Sequence, residues 1–285
     1  MAATASSSAI ETRQQVPRAH EYRDYGGNPL AHVMSETGSM SARLPAFGGG
    51  LQPGLYKPPE FKFANPVPLG LSGFALTTFI LSCVNLGIRG LAAPSLVIGP
   101  ALAYGGFVQL LAGMWDIALG NVFGGVALST YGGFWISIAI ILIPGGFNIE
   151  KSYTGTDFYT AFGLYILGWM IVTIMFWLCT LKSTVVFSAL FWCVWMAFIF
   201  LGCGYLDAKN SPEQVPNAAL VKAGGAFGIV AGFLAWYLML AGLLDEGNSF
   251  FVVPVLHFPW SEKGREARRA DLKLGELHGA RRHNK

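Results

Sequence analysis

The chain has 285 residues, 53% of them hydrophobic and only 12% charged, with 36 glycines and 21 phenylalanines. Soluble globular proteins carry about 25% charged residues, so this composition excludes an ordinary soluble domain and points to an integral membrane protein. The formal net charge of +3 is too small to argue for a nucleic-acid partner, and Lys and Arg gather toward the two ends of the chain.

Residues 1–64 are polar, with Ser, Thr, Gly and scattered charges, and they lack the apolar segment of a signal peptide. They read as a mostly disordered tail. The stretch Asn65-Pro66-Val67-Pro68-Leu69-Gly70-Leu71 then places two prolines and a glycine where the first long apolar run leaves that tail. Pro66 and Pro68 lack amide donors, and Pro68 restricts Val67, so the backbone is expected to be extended before the helix starts.

Six apolar runs follow, near 69–87, 95–115, 121–143, 159–180, 184–204 and 221–243. Each is long enough as helix to cross a bilayer, which takes about 20 residues. They are continuously apolar, whereas barrel strands alternate over about 10 residues. With no water in the bilayer core, each run closes its own backbone hydrogen bonds as helix. The reading is an all-α membrane protein with six transmembrane helices over residues 65–245 and a tail at either end.

Polar residues inside the runs are sparse, which makes each one informative. Thr77, Thr78, Ser82 and Asn85 lie along the first run, and Ser129 and Thr130 in the third. Such hydroxyls either line a path for a small polar solute or bond back to their own helix. The tetrapeptide Tyr104-Gly105-Gly106-Phe107 in the second run returns as Tyr131-Gly132-Gly133-Phe134 in the third. Each tyrosine is read either as a hydroxyl hung into a polar path or as aromatic packing in a glycine groove. Asp116 has Gln109 on the preceding turns and Asn121 at the next helix start. A carboxylate costs about 2.5–3.5 kcal/mol at the bilayer centre, so Asp116 is placed toward the cytoplasmic end. It serves there either as a cap on the third helix or in handling proton or substrate.

Lipid tails are as apolar as leucine, so small residues are expected at the helix seams. Gly125, Ser129 and Gly133, Gly224, Gly228 and Gly232, and the pair Gly120 and Gly124 recur at intervals of four. Arg89, Lys151 and Lys182 fall in the connections and read as anchors or as lures for anions. Cys83, Cys179, Cys193 and Cys203 read as free apolar thiols, and no histidine lies in a run. No metal or cofactor is implied, because there is no His or Cys cluster and no phosphate loop. No nucleophile stands beside a base either, so an enzyme is not expected. Residues 246–285 form a basic tail ending in Arg281 and Arg282, which is either plainly solvated or a contact for anionic lipid. An even number of spans puts both ends on one side, and their Arg and Lys excess selects the cytoplasm.

From Asn65 to Leu243 the chain resembles the acetate uptake transporter family, also called AceTr or YaaH, which includes fungal ammonia-export proteins. The resemblance is carried by Asn65 to Leu71 with Gly73-Phe74, by Tyr104-Gly105-Gly106 with Gln109, and by Ala112-Gly113 and Gly120-Asn121 with Phe123. Tyr131-Gly132 with Phe134-Trp135 and Thr180-Leu181-Lys182 complete it. It implies a bundle around a central pore, six protomers in a ring, and a hydrophobic constriction at Phe74, Tyr131 and Val194. Val194 departs from the family's leucine, and Asp116 stands where a bacterial relative has glutamate. The implied activity is proton-coupled uptake of acetate and similar small carboxylates, succinate included, across the plasma membrane. Ammonia or ammonium export is the alternative within transport, and a membrane sensor or scaffold acting through its tails is the alternative outside it.

Overall fold

A computed structural model describes residues 64–270 and Leu272, apart from Ala92, Pro212 and Glu246. Most of the expected N-terminal tail, and residues 273–285 of the C-terminal one, lie outside the described residues. Among the described residues six helices are long and apolar enough to cross a membrane: α1 Val67–Asn85, α2 Ser95–Ala118, α3 Val122–Leu142, α4 Asp157–Thr180, α5 Val185–Asn210 and α6 Ala218–Leu243. Each coincides with one of the six apolar runs.

The start of α1 differs from the expectation. Pro66 already has helical dihedrals, φ −82° and ψ −11°, and Val67 opens the helix directly before Pro68. The first amides of any helix have no intrahelical acceptor, so the donors missing at both prolines cost nothing in this turn. Asn65 Oδ1 accepts from Val67 N at 3.0 Å, and Pro66 O accepts from Gly70 N at 3.2 Å.

The tetrapeptide repeat takes two different backbones. In α2 the stretch Ala103–Val108 is a π-turn, whereas its counterpart in α3 is regular α-helix. The π-turn leaves Gly105 against α1, where a Cβ would fall 2.5 Å from Thr77 Oγ1. Three spans, α3, α5 and α6, start on side-chain caps that satisfy free amides, with Asn121 the cap of α3. Thr184 Oγ1 accepts from Phe187 N at 3.2 Å at α5. Asn217 Oδ1 accepts from Ala219 N and Leu220 N at α6, and its own amide donates to Asp207 Oδ2 at 2.8 Å.

Backbone neighbours run α3, α2, α1, α6, α5, α4. The circuit closes between α3 and α4 through large side chains, with Phe134 and Trp169 ring centroids 4.9 Å apart and Ser137 bonded to Tyr165. The small-residue seams mostly fall where the intervals of four place them. Gly224 faces Leu201 of α5, while Gly228 and Gly232 face Ser82 and Phe79 of α1. Gly133 and Gly120 are exceptions: neither meets a neighbour, and Gly120, at φ +85°, turns the chain between α2 and α3.

The stretch after Asp245 is more than a tail. Val185 N donates to Leu256 O at 2.9 Å, Thr184 and His257 form an antiparallel bridge, and Trp260 Nε1 donates to Leu181 O at 2.7 Å. The α4–α5 turn has unpaired backbone groups to offer, and this segment takes them. A charge count along the sequence carries no sign of that pairing.

Candidate functional site

The bundle encloses two cavities at opposite ends of α1. The wide one, about 570 Å³, is lined by the second half of α1 together with α3 to α6. The narrow one, about 40 Å³, is lined by Val67, Leu71, Gln109 and the first halves of α3 and α5. A water needs about 10–15 Å³ of such space, so the narrow cavity admits only a few. Phe74 and Val194 line both cavities and therefore stand at the boundary.

Tyr131 sits beside that boundary, on the narrow side. Its ring is 4% exposed and meets Phe74 edge-on with centroids 5.7 Å apart. Phe176, Phe191 and Trp169 surround it at 5.9, 6.2 and 6.4 Å. Edge-to-face pairs of this kind contribute about 0.5–1.5 kcal/mol beyond burial, so the ring is held firmly in place. The Tyr131 hydroxyl donates to Thr173 Oγ1 at 2.8 Å, and Thr173 in turn donates to Trp169 O at 2.7 Å.

Along one face of α1, Phe74, Thr78, Ser82 and Asn85 follow at helical spacing, and all four line the wide cavity. Thr78 Oγ1 and Trp135 Nε1 are screened from solvent and have no partner among the described residues. Gln109 is 1% exposed, lines the narrow cavity, and leaves its Oε1 without a partner. A buried polar atom left unpaired costs about 1–3 kcal/mol; of the five such atoms among the described residues these three belong to cavity-lining residues, whereas Ser129 Oγ and Trp195 Nε1 do not.

Other sequence candidates lie elsewhere. Thr77 is fully buried and donates back to Gly73 O at 2.8 Å. Ser129 Oγ is screened and unpaired, and its residue packs against Gly113; neither it nor Thr130 lines a cavity. Tyr104 donates to or accepts from Ser72 Oγ at 2.7 Å, which fits packing rather than a path. Pro68 packs against Gly242, and Gly70 against Leu128, so the opening motif fastens α1 to its neighbours.

Asp116 is 2% exposed and lines neither cavity. It is not itself the cap of the third helix. Asn121 is that cap, accepting from Gly124 N at 3.2 Å, and Asp116 Oδ2 holds Asn121 Nδ2 at 2.8 Å. The carboxylate thus positions the amide that meets the helix N-terminus, where negative charge is favoured. A Cβ at Gly124 would collide with both side chains.

Sequence reasoning missed Lys222, Trp135 and Tyr205 as cavity-lining groups. Trp135 carried a signal, standing in the Phe-Trp pair after Tyr131. Lys222 had none, because a lysine at the start of a span reads as an anchor in the interface.

Residues 47–260 match the GPR1/FUN34/yaaH family. The chain is 53% identical over 257 residues to acetate permease A of Emericella nidulans, covering 88% of this chain and 84% of that one. It is 45% identical over 220 residues to ammonia transport outward protein 2 of Saccharomyces cerevisiae, covering 76% and 75%. Among solved structures it resembles the bacterial acetate channel SatP, with a TM-score of 0.58 and 30% identity over 68% of this chain and 99% of that one. With its six spans, its opening motif and the extent of these matches, the chain belongs to the GPR1/FUN34/yaaH family.

Proposed function

We propose that this protein carries acetate and similar small monocarboxylates across a membrane together with protons. The observation that carries this reading is the pair of cavities meeting at Phe74 and Val194. Their polar lining consists of hydroxyl, amide, indole and ammonium groups, with no carboxylate among the described residues. Phe74, Tyr131 and Val194 then form the constriction, with the hydroxyls of Thr78 and Ser82 and the amide of Asn85 on its wide side.

A short carboxylic acid titrates near a glutamate side chain, at about 4.3, so only about 0.2% is neutral at pH 7. Unaided diffusion serves that fraction alone. A path of hydroxyls and amides lets the solute exchange water for protein partners before the aromatic ring closes around it. Passing the acid, or the anion with a proton, avoids carrying a bare charge through the apolar constriction. Such constrictions also control passage by drying out.

Ammonium export is the weaker reading, because a cation calls for several carboxylate or carbonyl ligands, and the described lining combines the side-chain amides of Asn85 and Gln109 with a lysine of like charge and has no acid. A sensor or scaffold role leaves the two cavities without a purpose. The activity is transport and not catalysis. Both ends of the membrane domain lie in the cytoplasm, and the wide cavity opens outward across the plasma membrane. The apolar faces of α4 and α6, with Leu164 60% and Phe233 57% exposed, support lipid contact and assembly into a ring of six.

Uptake of labelled acetate by vesicles carrying the purified protein, under an inward proton gradient, tests the reading. Uptake well above empty vesicles is expected, and uptake equal to theirs overturns it.

A further inference from the structure

The wide cavity holds one feature the transport reading has not used. Among its described lining residues Lys222 carries the only charge. It lies near the start of α6, where Gly224 and Gly228 also line the cavity and thin that wall. Its neighbour Gly225 packs on Asn85, with a Cβ there falling 3.0 Å from Asn85 Cβ. Lys222, three residues before Gly225 and so about 4.5 Å further out along α6, therefore stands just beyond the last rung of the series Asn85, Ser82, Thr78, Phe74 that descends one face of α1. Among the described residues the single ion pair is Lys209 with Asp157, so no carboxylate neutralises Lys222.

We propose that Lys222 makes the wide cavity an anion-capturing vestibule and sets the preference for carboxylates over ammonium. The inference rests on the transport reading and deepens it. A cleft with apolar walls and one sign of charge focuses its field and concentrates counter-ions. The captured carboxylate exchanges the ammonium for Asn85, Ser82 and Thr78 in turn. At the base Thr78 Oγ1 and Trp135 Nε1, both unpaired, supply the last donors before Phe74 and Val194. The same charge repels ammonium at the mouth. Lys222 is thus a specificity-determining residue and not part of the constriction.

An anchor in the membrane interface would hold the helix end but leave solute affinity alone, which makes the two roles separable. Initial rates of labelled acetate uptake are measured in vesicles at about 0.01 M and about 0.3 M salt, where screening lengths are about 30 and under 10 Å. At low salt Lys222→Gln is expected to raise KM about fivefold to tenfold, with Vmax within about twofold of the parent. The difference shrinks at high salt, Lys222→Arg behaves as the parent, and Lys222→Glu raises KM further while methylammonium becomes a better competitor. Equal KM in Lys222→Gln and parent at both salts overturns the proposal and leaves acetate transport standing. A parent KM indifferent to salt overturns it as well, without any variant having to fold. Should the parent take up no acetate, the transport reading fails by itself. Equilibrium binding of labelled acetate to the purified protein then decides for Lys222: weaker binding by Lys222→Gln supports capture, and equal binding overturns it.

Discussion

The two cavities are built on opposite principles. The wide one at the end of α1 is roomy, studded with hydroxyl, amide and indole groups and charged at Lys222. The narrow one at the start of α1 is an order of magnitude smaller and presents an apolar wall throughout. A solute meeting the first keeps much of its water, and one meeting the second cannot. On the proposed path dehydration therefore falls at the boundary formed by Phe74, Tyr131 and Val194, with its charged and uncharged halves physically separate.

Filling the boundary breaks this comparison most directly. Val194→Trp fills the space common to both cavities from a buried core position, and it is expected to lower acetate uptake about tenfold or more. Acetate binding to the purified protein is expected to survive it. Loss of both would mean the wide cavity does not bind independently of the narrow one.

Tyr131→Ala acts on the narrow side alone. It is expected to admit larger acids as competitors for uptake, and to cost about 3–5 kcal/mol of stability, read as a lowered Tm in detergent. Tyr131→Phe keeps the ring packed and removes only the bond to Thr173, at about 1 kcal/mol. An unchanged solute range in Tyr131→Ala would show that the ring does not set the bore.

Two smaller effects test whether the α2–α3 turn belongs to the path. Asn121→Ala removes the cap of α3 and is expected to cost about 1 kcal/mol, seen in thermal unfolding. Asp116→Asn keeps an acceptor for Asn121 and touches neither cavity, so acetate uptake and its proton dependence are expected to stay within about twofold of the parent; mutations away from functional contacts typically act within about 0.5 kcal/mol. Abolished proton coupling in Asp116→Asn would move the proton path out of the cavities and into that turn.

Much of the candidate site was legible in the chain. Phe74, Tyr131 and Gln109 sit in short motifs, and Thr78 follows from helical spacing. Thr77 and Ser129 were equally polar and equally spaced, yet they turn into helix seams. A hydroxyl's sequence position does not say which side of its helix faces a neighbour. Asp116 misled for a related reason: its partner Asn121 was visible, but the order of the two along the α2–α3 turn decides which one meets the helix N-terminus.

The chain by itself determined that there are six membrane helices, because a bilayer leaves the backbone no partner but its own helix, and apolar length records that need directly. It also marked most of the close seams, since small residues permit close approach, although Gly120 and Gly133 meet no neighbour. Which helices meet, and hence that Lys222 of α6 comes just beyond Asn85 of α1 and that residues 256–260 fasten to the α4–α5 turn, was decided by the tertiary structure. Those contacts join residues far apart in the chain, and each depends on the rotation of a helix about its axis, which near-uniform apolar spans do not encode.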